Sequence, residues 1–173
     1  ASSSPEQMLD YLSRVMTDDF PKLTVKDYEV KYVPDSMEEF SSPAFYLTPP
    51  VDTLTPNTIY INQSTTVSDV QRFTTLAHEG FPGHLYQTVY FGKQDCPIRH
   101  LLGCSGYVEG WATYVENMAY EYSCSFLHTD PEVMEFLRLN RSVTLCLYSI
   151  LDIGIHDTGW NLQTVQELLK SFG

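Results

Sequence analysis

The chain has 173 residues, which is enough for one domain with a buried core and short for two. Its formal net charge of -12 argues against nucleic acid and anionic membrane surfaces as partners, because both attract clustered Lys and Arg. Apolar residues make up 43% of the chain, as in globular proteins. No apolar run approaches the roughly 20 residues that a membrane-spanning helix needs.

The first part of the chain changes from a helical to a strand-like pattern. Apolar residues recur at helical spacing over residues 5–18, and they alternate in short runs between residues 28 and 62. These runs predict a small, mostly antiparallel sheet of about three strands. The segment Thr58–Gln63 is either an ordinary sheet strand or an edge strand against which an extended peptide substrate lies.

The rest of the chain is predicted to be helical. One helix over residues 64–77 leads into His78 and Glu79, and Pro82 interrupts the regular hydrogen bonding there. Three further patterns predict helices at 83–91, 105–125 and 162–172, with a loop at 95–102. Residues 131–151 predict another helix, whose apolar composition after Arg141 indicates a buried position.

Two histidines and a glutamate lie close together in the segment HEGFPGH, as His78, Glu79 and His84. Imidazole and carboxylate are ligands that zinc prefers, and a catalytic zinc site takes three protein ligands. The usual spacing between the two histidines is four residues, whereas here it is six, which on an uninterrupted helix would point them about 120° apart. Pro82 and Gly83 can absorb the difference as an irregular turn.

Carboxylates on the following helix complete the predicted site. Glu79 is the candidate general base, and Glu109, in the segment EGWATYVE, is the candidate third ligand. Glu116 lies seven residues later on the same face, where it would either orient a ligand histidine or be an ordinary solvated residue. Without these carboxylates, the two histidines would be read as surface residues. The cysteines form no CxxC pair, so a cysteine zinc site is not expected, and disulfides are neither required nor excluded.

Three segments in this order, HEGFPGHLYQ, EGWATYVE and DIGIHDTGW, resemble the bacterial domain of unknown function 885 family. That family is regarded as zinc metallopeptidase-like proteins of the gluzincin type. The resemblance implies His78 and His84 as metal ligands, Glu79 as general base and Glu109 as the glutamate ligand. EGWATY is also similar to the segment that supplies the third ligand in gluzincin aminopeptidases. Because family members are longer, the resemblance implies that this chain is a C-terminal catalytic portion with an N-terminal part as partner.

The third of these segments contains His156. It is a candidate for stabilising the transition state by donating a hydrogen bond to the developing oxyanion. It can equally be a histidine at a helix C-terminus that is satisfied by local carbonyl groups. The arginine that often precedes this segment in the family is absent here, where Leu147, Tyr148 and Ser149 stand.

The sequence therefore predicts a mostly helical α+β fold in one domain, with a small sheet packed on metal-bearing helices. The expected function is hydrolysis of peptide or related amide bonds with one zinc ion per chain. Two alternatives remain: a metal- or peptide-binding domain without turnover, and a metallohydrolase that acts on other substrates. The acidic surface, rich in Ser, Thr and Tyr, favours a location in the cell envelope or outside the cell.

Overall fold

The computed structural model describes residues 3–23, 28–64, 66–94, 96, 98 and 102–172. The predicted loop at 95–102 lies largely outside these residues. The helices are α1 (Pro5–Val15), continued by a 3-10 turn at Met16–Asp18, α2 (Asp35–Glu38), α3 (Asp69–Glu79), α4 (His84–Gly92), α5 (Ser105–Leu127), α6 (Pro131–His156) and α7 (Leu162–Ser171). The strands are β1 (Tyr28–Tyr32), β2 (Ala44–Leu47) and β3 (Asn57–Ile61). The mostly helical α+β class is confirmed.

Contacts divide the chain into two compact units, Ala1–Met134 and Glu135–Gly173. The expectation of one domain over residues 1–173 stays a prediction. Among the helices that the structure describes, none is long and apolar enough to cross a bilayer. All four cysteines lie among the described residues, and each is a free thiol.

Helices begin where local side chains cap them. The Ser4 hydroxyl accepts from the Gln7 N–H while the Gln7 side chain accepts from the Ser4 N–H, which forms a capping box. At the start of α3 the Ser68 hydroxyl accepts from the Gln71 N–H. Such caps contribute about 1 kcal/mol each. At α3 this cap fixes the start of the helix that carries the first two residues of the predicted metal site.

The sheet has the order β1-β3-β2 and is mixed. β1 pairs with β3 in parallel and β2 pairs with β3 antiparallel, so the expectation of a mostly antiparallel sheet is wrong. The reason is that the chain between β1 and β3 passes through α2 and β2, and this crossover returns β3 in the direction of β1. β3 is the central strand, so the interpretation of Thr58–Gln63 as an edge strand is also wrong. β1 and β2 are the two edge strands among the described strands.

The core of the first unit fixes α3 in place. Phe73, Leu76 and Ala77 recur at helical spacing and are fully buried. They share a cluster with residues of α1, the sheet, α4 and α5, including Met8, Leu9, Leu12, Ile59, Leu85 and Ala119. Burial of one side chain such as Phe73 contributes about 1.5–3 kcal/mol. The C-terminal turn of α3, which carries His78 and Glu79, is therefore attached to a rigid scaffold.

The second unit contains most of α6 and all of α7. Many apolar side chains of α6, among them Val143 and Ile153, are exposed, so the predicted burial of this helix is wrong. Apolar residues occur on several sides of this helix, and many of their side chains are not covered by other described residues. Gly154 has a local packing role, because a Cβ atom there would overlap the Trp160 ring. The backbone N–H of Trp160 also donates to the Gly154 carbonyl at 2.8 Å.

Candidate metal centre

The predicted interruption between the two histidines is confirmed. α3 ends at Glu79 and α4 begins at His84, and the Phe81–Pro82 peptide bond between them is cis. Gly83 is required at this turn, because a Cβ atom there would overlap the carbonyl oxygens of Ala77 and His78. Trp111 of α5 donates through Nε1 to the Pro82 carbonyl at 2.9 Å, which ties the turn to that helix.

The turn brings the two imidazoles together. The ring centroids of His78 and His84 are 4.8 Å apart and the ring planes are nearly perpendicular. His78 Nε2 lies 3.5 Å from Glu109 Oε2, and His84 Nε2 lies 3.6 Å from Glu109 Oε1. Two ligands bonded at about 2.1 Å to a tetrahedral zinc ion are about 3.4 Å apart. The two separations between an imidazole nitrogen and a Glu109 oxygen are therefore close to those of ligands that share one zinc ion.

A second carboxylate lies beside the same histidines. His78, Glu79 and His84 each have one nitrogen or oxygen atom that can bind a metal, and these three atoms lie within 4.8 Å of one another. Glu79 Oε2 accepts a hydrogen bond from the backbone N–H of Tyr46 in the edge strand β2, at 2.9 Å. This bond holds one oxygen of Glu79 against the sheet. Glu109, in contrast, has a side chain that is 61% exposed.

Glu116 lies behind His78, on the side away from Glu109. Its Oε2 is 3.0 Å from His78 Nδ1, and its side chain is only 8% exposed. Because a carboxylate can only accept, the proton of the neutral imidazole lies on Nδ1, and Nε2 of that form carries the free lone pair. Of the two interpretations that the sequence left open for Glu116, the structure places it on a histidine rather than in solvent.

The sequence profile of the family described as "Bacterial protein of unknown function (DUF885)" matches residues 3–172. The chain belongs to the DUF885 family. A solved structure described as "the putative lipoprotein from Colwellia psychrerythraea" is 24% identical, with a TM-score of 0.78. The match covers 96% of this chain and 28% of that one, so the DUF885 chain spans under a third of its structural neighbour. No curated protein matches.

Burial and charge act in opposite directions on the histidines. Burial lowers the pKa of His78, but the hydrogen bond to Glu116 and the nearby carboxylates outweigh it, so the pKa lies above its usual value. The pKa of His84 lies below its usual value because of burial and of the neighbouring His78 charge. Neutral His84 is the form that binds a metal.

The pKa of Glu79 lies above that of an ordinary glutamate. Burial raises the pKa of this carboxyl, and the Tyr46 N–H and His78 only partly oppose the effect. A carboxylate with a raised pKa is a better proton acceptor near neutral pH than an exposed glutamate.

Two neighbours of the site were missed from the sequence. Gln87 lies three residues after His84 on α4 and interacts with the His84 ring. This interaction raises the pKa of His84, whereas burial lowers it. The i to i+3 spacing is a signal that could have identified it. The backbone N–H of Tyr46 could not have been identified, because its contact with Glu79 depends on where β2 pairs in the sheet.

His156 lies in the second unit, near the end of α6. Its side chain is 75% exposed, and its Nε2 is 3.6 Å from Asp152 Oδ1 one turn earlier. The structure thus brings together His78, Glu79, His84, Glu109 and Glu116 in the first unit. A catalytic role for His156 stays a prediction.

Proposed function

We propose that this DUF885 chain binds one zinc ion through His78, His84 and Glu109 and hydrolyses peptide or related amide bonds. The convergence of both Nε2 atoms on the carboxylate of Glu109, at 3.5 and 3.6 Å, is the observation that carries the proposal. Three protein ligands leave one position of a tetrahedral ion open, as in catalytic zinc sites. Glu116 supports the site by fixing the orientation of the His78 ring.

The reaction needs an acid–base group as well as a metal. Zinc, when bound, supplies a Lewis acid that lowers the pKa of water and polarises a carbonyl group. Glu79 accepts the proton of the attacking water as the new C–O bond forms, and it passes this proton to the amide nitrogen as the C–N bond breaks. The Tyr46 N–H holds Oε2 of Glu79, which leaves Oε1 for proton transfer.

His156 is proposed to donate to the oxyanion that develops on the substrate carbonyl. The proposal predicts that His156→Ala lowers the turnover number and leaves the zinc content unchanged. An unchanged turnover number would contradict the catalytic role and leave His156 only its contact with Asp152.

The wider context of the chain is also part of the proposal. We place it among gluzincin-type peptidases as the catalytic portion of a longer protein, C-terminal to a helical part. The coverage of only 28% of the structural neighbour supports a longer protein. The neighbour's description as a lipoprotein supports a location in the cell envelope.

Metal content tests the proposal directly. Elemental analysis of the protein, after zinc loading and dialysis, is expected to give one zinc ion per chain, and His84→Ala is expected to remove it. His128→Ala is the matched control, because His128 is an exposed histidine at the end of α5. Absence of zinc from the folded wild type would overturn the proposal.

Substrate tests then separate the hydrolytic alternatives. Peptide, ester and non-peptide amide substrates are compared with and without a chelator. Chelator-sensitive peptide cleavage supports the proposal. Cleavage of esters alone indicates a different metallohydrolase, and zinc binding without any turnover indicates a metal-binding domain.

A further inference from the structure

An apolar cavity of about 570 Å³ lies in the first unit, between α4, the start of α5 and the segment that follows β2. This volume is within the range of small-molecule binding sites. The residues of its lining that matter here are Val51, Leu54, Gln87, Thr88, Phe91 and Val108. Most of them are apolar.

Helix α4 carries both a residue of the candidate metal centre and part of the wall of this cavity. On α4 the lining residues Gln87, Thr88 and Phe91 are three, four and seven positions after His84, so they share its face of the helix. On α5, Val108 directly precedes Glu109. Thr48, also in the lining, directly follows the end of β2, two residues after Tyr46, whose backbone N–H donates to Glu79. The cavity is therefore linked to the centre through Gln87, which lines the cavity and interacts with the His84 ring.

Gln87 gives the cavity a polar group that needs a partner. Its side chain is buried, with 7% of the residue exposed, and its Nε2 has no hydrogen-bond partner. A buried donor without an acceptor costs free energy, and this cost is recovered when a ligand supplies an oxygen. In a peptide, the group that matches an amide N–H is the backbone carbonyl.

We propose that this cavity is a substrate subsite, in which an aliphatic or aromatic side chain of the peptide is buried while Gln87 Nε2 donates to a peptide carbonyl. The inference rests on the proposed function, since it assigns the side-chain preference of the same site. It names the substrate class as peptides with a large apolar residue next to the bond that is hydrolysed. Glycine or aspartate at that position does not fill the cavity.

Binding of short peptides tests the subsite without any need for turnover. The probes are acetyl-Gly-Xaa-Gly amides with Xaa as Leu, Phe, Gly or Asp, and the dissociation constants are measured by NMR titration of the protein. Leu and Phe peptides are expected to bind about tenfold or more tightly than the Gly peptide, because burial of such a side chain removes apolar surface from water. Equal affinities for all four peptides would overturn the proposal.

Filling the cavity is the second arm of the test. Val51 is 51% exposed in the cavity wall, so Val51→Trp can reduce the space without disturbing the core. This variant is expected to abolish the preference for Leu and leave binding of the Gly peptide unchanged. Val133→Trp is the matched control, with an original residue that is 48% exposed in the same unit and outside the lining. Preservation of the Leu preference in Val51→Trp and in Leu102→Trp, a second substitution in the lining, would contradict the proposal.

A third arm concerns Gln87. Gln87→Leu is expected to weaken the Leu and Gly peptides about equally, by about tenfold, because both carry the same carbonyl groups. The control Gln94→Leu makes the same change just beyond α4 and outside the cavity lining. Unchanged peptide binding by the Gln87→Leu variant would contradict the hydrogen bond proposed between Gln87 and the peptide carbonyl. Since Gln87 also contacts His84, the zinc content of this variant is measured alongside.

Repeating the titrations with and without a chelator separates this inference from the proposed function. Loss of the Leu preference in a protein that binds zinc and cleaves peptides would refute the subsite alone. A Leu preference in a protein that never binds zinc would refute the hydrolase and leave the cavity as a peptide-binding site.

Discussion

His78 and Glu116 form the most buried polar pair of the candidate centre, with His78 Nδ1 3.0 Å from Glu116 Oε2. Because this contact fixes both the ring orientation and the tautomer, we expect Glu116→Gln to weaken zinc binding by about 10- to 100-fold. Competition with a zinc-binding dye gives the dissociation constant. Glu121→Gln, an exposed position on the same helix, is the control and should bind zinc like the wild type. Equal zinc affinities for the two variants would remove Glu116 from the site.

The two carboxylates beside the histidines should respond differently to the same substitution. We expect Glu79→Gln to retain zinc and to lose about 100-fold or more in turnover, because it removes the proton acceptor. We expect Glu109→Gln to lose zinc, because a ligand is weakened. Zinc content and peptide cleavage are measured on both variants. If Glu79→Gln loses zinc while Glu109→Gln keeps it, the two roles must be exchanged.

The turn between the histidines should be sensitive to a single methyl group. In Gly83→Ala the new Cβ overlaps the carbonyl oxygens of Ala77 and His78, so we expect a loss of about 1–3 kcal/mol in the free energy of unfolding. Gly110→Ala is the control on α5, where a Cβ meets no atom within 4 Å. Since alanine favours a helix interior, that variant should gain about 0.5–1 kcal/mol. Urea denaturation of both variants measures the difference, and equal changes would contradict the packing described for Gly83.

Zinc should stabilise the fold measurably. At a free zinc concentration of 100 times the dissociation constant, the expected gain is about 2.7 kcal/mol, or about 5–10 °C in the unfolding temperature. A thermal scan with zinc and with chelator measures the shift. His84→Ala should show no such shift, whereas His128→Ala should behave like the wild type. A shift of the same size in His84→Ala would indicate that zinc binds elsewhere.

Tyr122 should link stability to pH at the alkaline end. Burial and the hydrogen bond that its hydroxyl donates to Asp19 raise the pKa of this phenol above its ordinary value of about 10. The folded state thus keeps a proton that the unfolded chain releases, so the stabilisation is complete below pH 10 and is lost as the pH rises above it. The wild type should lose more stability between pH 9.5 and 11 than Tyr122→Phe does. Parallel stability curves would contradict the raised pKa.

Features that depend on residues close together in the sequence were predicted better than features that depend on residues far apart. The interruption at Pro82 and Gly83 depends on neighbours within a few residues, so it could be predicted, whereas the helix predicted over residues 64–77 begins only at Asp69. The parallel pairing of β1 with β3 could not, because strand pairing depends on contacts distant in sequence. The exposure of α6 was mispredicted because composition alone does not say whether a partner surface covers a helix.

The same limit applies to the candidate centre. His78, Glu79, His84 and Glu109 were predicted together from spacing and ligand chemistry, and the structure places them side by side. The donor to Glu79 is a backbone N–H, which carries no sequence signal. The orphaned amide of Gln87 becomes visible only when its burial is known.

The hydrogen bond from the Tyr46 N–H to Glu79 also lies at one edge of the sheet, on β2. Unpaired N–H groups on an edge strand are templates for pairing with another copy of the chain. At Tyr46 the Glu79 carboxylate accepts from the backbone N–H, so this N–H is not available for pairing with another strand. Glutamine at position 79 keeps an oxygen that can accept from Tyr46, whereas alanine leaves the edge amide unpaired. An alanine variant that precipitates would therefore report on the lost edge protection rather than on catalysis.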